Sequence, residues 1–138
     1  MKLLISGTTG FIGKNLVERL LKENHTIFAI VRPSSNPELL EKSVTPYIFD
    51  GKINNLISFI QKEKFDGVIH LASLFLAGHK PEDIKGLVES NVLFSTQLLE
   101  ASVKSEVSWF INTGTFWQHY KDKKYSPVNL YAATKQAF

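Results

Sequence analysis

Ser6-Gly7-Thr8-Thr9-Gly10-Phe11-Ile12-Gly13 decides the reading of this chain. The segment lies between a short apolar run, Leu3-Leu4-Ile5, and a stretch of helical period. In residues 11 to 22, Ile12, Leu16 and Leu20 fall on one predicted face, with Val17 and Leu21 beside them. Strand, glycine turn and helix in that order suit a bound phosphate. Gly7 permits the tight turn out of the strand. Gly10 lets backbone approach a pyrophosphate where a side chain would collide. Gly13 lets the helix pack closely on the sheet. The helix N-terminus then offers free N–H groups and a partial positive charge.

Outward from the turn, apolar runs alternate with helical patterns. Strands are predicted at Ile27–Val31, Tyr47–Phe49, Val68–Ala72 and Val107–Ile111. Helices are predicted over 53–63 and, as one long element, over 82–104, where Glu82 and Asp83 suit an N-terminus. A final helix is expected to open at Pro127 behind a Ser126 cap. Strands apolar along their length and separated by helices imply a parallel sheet covered on both faces. The expected fold is α/β: a Rossmann-type doubly wound sheet of strand order 3-2-1-4-5.

The 138 residues fit one domain, and 43% hydrophobic with 21% charged residues is a globular composition. With no cysteine, disulfides and thiolate zinc sites are excluded. His25, His70 and His79 show no metal-ligand spacing, so no metal is expected. The net charge of +3 is scattered, which argues against nucleic acid, and the N-terminal apolar run is too short for a signal peptide or membrane span. A cytoplasmic location is the expectation.

The G-x-x-G-x-x-G spacing, and Gly10-Phe11-Ile12-Gly13 in particular, resembles the extended branch of the short-chain dehydrogenase/reductase superfamily, the NAD-dependent epimerase/dehydratase family. The resemblance covers the whole chain but only the N-terminal half of such a protein. The chain stops at Phe138 inside a helical pattern, and it is read as residues 1–138 of a longer protein whose substrate-binding region lies elsewhere. Alone, it is expected to turn over no substrate.

The resemblance implies a nicotinamide cofactor held by Gly7, Thr9, Gly10, Phe11, Ile12 and Gly13. NAD-binding relatives usually carry an acidic residue at the end of the second strand, where this chain has Val31-Arg32-Pro33-Ser34-Ser35. A guanidinium pairs with the 2′-phosphate of NADP, and Ser34 and Ser35 add hydroxyls, so NADP(H) is favoured over NAD(H). Arg32 as a plain loop cation is the alternative. Asp50, with Gly51, stands where the family contacts adenine; a loop cap is the equal alternative. Leu71, Ala72 and Ser73 match the segment lining the cofactor cleft.

Tyr131-x-x-x-Lys135 places a phenol and an ammonium on one helix face. In the family the phenol moves the proton on a substrate oxygen, and the lysine also bonds the nicotinamide ribose. Comparison favours Thr115 as the assisting hydroxyl, with Thr113 next, and Asn91 as a supporting residue or a plain surface asparagine. Phe116-Trp117-Gln118-His119-Tyr120 departs from the family's pattern; Trp117 and His119 either line a sugar site or pack under a loop. The implied substrate is a nucleotide-linked sugar, with a 4-keto reductase favoured over a 4-epimerase or 4,6-dehydratase. A non-catalytic NADP-binding sensor is the reading from another class. A homodimer through the long helix and the Tyr131 helix is a further expectation.

Overall fold

The computed structural model describes the backbone of residues 1–138 and every side chain except that of Pro37. The chain divides into two compact units, residues 1–72 with 98–112, and residues 73–97 with 113–138.

The first unit holds a five-stranded parallel sheet of β1 (Lys2–Ser6), β2 (Thr26–Val31), β3 (Thr45–Ile48), β4 (Gly67–His70) and β5 (Trp109–Asn112), in the order β3-β2-β1-β4-β5. This is the expected Rossmann-type order. Every residue of β4, and Leu3 to Ser6 of β1, is buried. Alternation along the strands sorts the two faces. Leu3, Ile5, Ile27, Ala29, Val31 and Ile69 form one core with Val17, and Leu16, Leu20 and Leu21 of α1 (Phe11–Lys22) pack against it. On the opposite face Phe28 meets Phe59 of α2 (Ile53–Glu63) and Phe65, with ring centroids 6.0 and 5.2 Å away. A side chain at Gly67 would collide with the Trp109 ring of the paired strand, at 2.1 Å.

Several expectations need correction. Ile12 is 63% exposed and takes no part in the core. Phe11, in the same first turn, is exposed as well, so apolar period there does not mean burial. β5 starts at Trp109 rather than Val107, because the Val107 N–H is spent on the Ser102 carbonyl in closing the preceding helix. β3 and β4 are shifted by one or two residues, although the Phe49 and Leu71 N–H groups continue their ladders to Val31 and Ser6.

The long helix is not uniform. It runs as α3 (Asp83–Val88), a π turn (Glu89–Leu93) and α4 (Phe94–Lys104). The last helix, α5 (Leu130–Ala137), opens at Asn129 instead of Ser126 and Pro127. Ser126 and Val128 donate their N–H groups to the carbonyls of Gln118 and Trp117, which commits that segment to pairing rather than to a helical turn. Among the described residues no helix is long and apolar enough to cross a membrane.

Candidate functional site

In the first unit, the glycine turn is set by contacts behind it. Gly7 has φ +76°, and a Cβ there would stand 2.7 Å from the Ala72 nitrogen. Ser6 Oγ accepts the Ala72 N–H at 3.2 Å and lies 2.6 Å from His70 Nδ1, which ties the ends of β1 and β4 together. Gly13 is needed for a different reason from the expected one. Its Cβ would come 2.1 Å from the Gly7 carbonyl oxygen, so it packs on the turn itself rather than on the sheet.

At Gly10, the N-cap of α1, an added Cβ would meet only the Gly7 carbonyl, at 3.4 Å. No side chain caps α1. Its first-turn N–H groups thus have no capping side chain, and Phe11 and Ile12 there are exposed, with Thr9 half-buried. Thr8 Oγ1 is buried without a partner and lines a cavity of about 130 Å³ with Lys14, Val17 and Leu40.

Arg32 and Ser34 are exposed after β2. Arg32 pairs with no carboxylate among the described residues. Ser35 is committed locally: its Oγ accepts the Arg32 N–H at 3.2 Å. Asp50 proves to be a loop cap. Its carboxylate accepts the Lys52 N–H at 3.0 Å and the Asn55 amide at 2.7 Å, and these bonds hold it below the usual carboxylate range. Gly51 follows at φ +84° with open space where a Cβ would be. Leu71 and Ala72 are half-buried at the end of β4.

In the second unit, Asn91 stands in the π turn, fully buried. Its Oδ1 accepts the Leu74 N–H at 2.8 Å and the Ser73 hydroxyl at 3.2 Å. Its Nδ2 donates to the Leu74 carbonyl at 2.9 Å and to Thr134 Oγ1 at 3.0 Å. Two donors and two lone pairs are thus all spent. Asn91 is therefore no plain surface asparagine: it is buried, and its side chain is engaged with Ser73, Leu74 and Thr134. Thr134 passes the restraint on, donating to the Tyr131 carbonyl at 2.7 Å.

Tyr131 and Lys135 are both buried on α5. The Tyr131 ring meets Phe75 edge-on, with centroids 4.9 Å apart, and Trp117 at 6.5 Å. Lys135 is 3% exposed and its Nζ has no hydrogen-bond partner. Desolvation pushes its pKa below the ordinary lysine value. Thr115 is half-buried and caps a short turn, Phe116–Gln118; its Oγ1 accepts the Trp117 N–H at 3.4 Å while Gln118 Oε1 accepts the Thr115 N–H at 2.6 Å. Gln118 also donates to the Lys135 carbonyl at 3.4 Å. Thr113 is half-buried and Ser73 exposed. His119 belongs to its own loop, with Nδ1 3.2 Å from the Lys124 carbonyl.

The sequence profile of the NAD dependent epimerase/dehydratase family matches residues 3–138. The chain belongs to that family. Among curated relatives it is 31% identical to CDP-abequose synthase of Salmonella typhimurium, over 98% of this chain and 44% of that protein. It is 27% identical to UDP-glucose 4-epimerase of Corynebacterium glutamicum, over 98% and 44%. The chain thus spans under half the length of these epimerase/dehydratase relatives. In structure it resembles UDP-glucose 4-epimerase of Thermotoga maritima, with a TM-score of 0.87 and 22% identity over 99% of this chain and 48% of that one. That likeness bears on the fold.

Two observations test whether an epimerase/dehydratase chain with these residues fits a nicotinamide dinucleotide. The uncapped α1 with open space at Gly10 suits a pyrophosphate. The buried, unpartnered Lys135 ammonium is costly as it stands and suits an acceptor such as a ribose hydroxyl. The residues fit the group. Among the described residues no cluster of three or more His, Cys, Asp or Glu side chains is placed to hold a metal.

Three features went unread in the sequence. The Ser6–His70 pair and the Asn91–Thr134 link join residues far apart in the chain and leave no local signal. The Thr115-x-x-Gln118 box was readable, since Ser/Thr followed three residues later by Glu/Gln is a known turn-opening pattern.

Proposed function

We propose that residues 1–138 are the cofactor-binding portion of a cytoplasmic, NADP(H)-dependent oxidoreductase that reduces the 4-ketone of a nucleotide-linked sugar. The product class is a deoxysugar of the kind built into surface polysaccharide. The observation that carries this reading is Arg32: an exposed guanidinium at the end of β2, without a carboxylate partner, where an NAD-selective site needs an acid.

In this reading the α1 N-terminus and Gly10 hold the pyrophosphate, and Arg32 and Ser34 hold the 2′-phosphate. The reduced nicotinamide, when bound, supplies the hydride. Tyr131 gives its phenolic proton to the C4 oxygen. Lys135 bonds the ribose and favours the phenolate that proton loss leaves behind. Thr115 retains a role, because its oxygen accepts the Trp117 N–H and its own O–H stays free to orient the substrate carbonyl. Substrate-binding residues beyond this chain, and a homodimer, belong to the same proposal.

The test is a titration with NADPH and NADH, followed by nicotinamide fluorescence, on the parent and on Arg32→Asp. NADPH is expected to bind about ten- to a hundredfold more tightly, with the preference reversed in the variant. NADH binding as well or better would replace the reductase with a 4-epimerase or 4,6-dehydratase, the activity named in UDP-glucose 4-epimerase.

A further inference from the structure

We infer that Phe75 and Trp117, with the ring of Tyr131, form an aromatic corner that takes the C–H face of the substrate's sugar ring. This rests on the reading of Tyr131 as proton donor, since whatever accepts that proton must lie beside its ring.

The three rings touch pairwise. Phe75 and Tyr131 meet at 87°, Trp117 and Tyr131 at 77°, and Phe75 and Trp117 at 53° with centroids 5.6 Å apart. Rings tilted this steeply to one another offer no parallel slot for a flat base or nicotinamide, and their apolar faces suit the C–H groups of a puckered ring. Phe75 stays 56% exposed although it sits in this cluster, so its ring is uncovered on its outer side.

Both added rings are held by backbone restraints. The residue before Phe75, Leu74, has its N–H and C=O clamped by Asn91. Trp117 has its N–H taken by Thr115 and its C=O taken by the Val128 N–H, at 3.0 Å. Of the two residues left open in this segment, Trp117 joins the ring cluster at Tyr131 and His119 bonds within its own loop.

The chain has two tryptophans, so the signal of Trp117 is read as the difference between the parent and Trp117→Phe. The whole protein, with the substrate-binding residues that the proposed function places beyond this chain, is titrated with a nucleoside-diphosphate 6-deoxyhexose, with the same nucleoside diphosphate lacking sugar, and with NADPH. The sugar nucleotide should quench the Trp117 signal and the bare nucleotide should not. Phe75→Ala and Trp117→Ala should each weaken sugar-nucleotide binding about tenfold and leave NADPH affinity within about twofold. Absence of sugar-dependent quenching, or quenching by NADPH or by the bare nucleotide alone, overturns the assignment. NADPH binding that depends on Arg32 without quenching by the sugar defeats the corner and spares the cofactor reading. Loss of NADPH binding with quenching intact does the reverse.

Discussion

The first unit is held by strand ladders and a continuous apolar core, whereas the second is held by a few amide side chains. Leu4, Ile5, Ile27, Ala29 and Val68 are wholly buried in the sheet, and neighbouring strands supply most of their hydrogen bonds. In the second unit, short helices are joined by irregular backbone over 73–82 and 113–129, and Asn91, Gln118 and Asn129 each bind two or more separate points. The contrast shows how one chain divides its labour. In the proposed function, the sheet would supply a rigid floor for a phosphate, where shape and N–H groups matter, and single polar side chains would place the groups that move protons.

The strongest attack on that contrast is Asn91→Ala. It leaves the Leu74 N–H and C=O and the Thr134 hydroxyl without their partner in a buried setting, at a cost of about 3–4 kcal/mol. Hydrogen exchange should then accelerate at 74–76 and 130–137 while amides of β1 and β2 keep their protection. Equal loss across the sheet would show that the two units are not separately held.

Gly13→Ala tests the first unit in the same way. The new methyl would stand 2.1 Å from the Gly7 oxygen, and relieving that overlap should cost about 2–3 kcal/mol. Denaturant unfolding measures the cost, and nucleotide binding should fall with it. An unchanged midpoint would mean that the turn yields and is no rigid floor.

Lys135→Met sharpens the second unit, with the smallest effect and the opposite sign. Removing a buried, unpartnered ammonium should raise the stability of the ligand-free protein by about 1–2 kcal/mol. The sign in pH follows from linkage. Desolvation lowers the folded-state pKa, so the unfolded chain holds the proton more tightly, and the parent carries the full penalty at any pH below that lowered value. Its stability should gain on the Met variant as pH climbs toward the ordinary lysine value of 10.5. A pH-independent difference in melting temperature would contradict this.

What could be read in advance follows the same division. The bounds of α1 and α2 and the strand order emerge from apolar period and the glycine turn, because amphipathic faces are local properties. Tyr131 and Lys135 share a helix for the same reason. The start of α5, the onset of β5 and the break in the long helix depend on bonds between distant residues. Asn91 reaches 17 residues back and 43 forward, and Asn129 reaches 52 back to the Ala77 carbonyl. No periodicity encodes such pairs. Ile12 fails in another way: its pattern is right, but it stands exposed in the first turn of α1.

The π turn at Glu89–Leu93 gives its helix one residue of slack. A π turn holds one residue more than the α turn it replaces, yet both sweep about one revolution. The winding of the helix is therefore nearly the same as if the surplus residue were not there. What the surplus changes is local: the turn is widened by one residue where Asn91 stands, and the bonds of that side chain to Ser73, Leu74 and Thr134 fix which residue occupies the place. Tolerance to length and intolerance to sequence thus meet in a single turn.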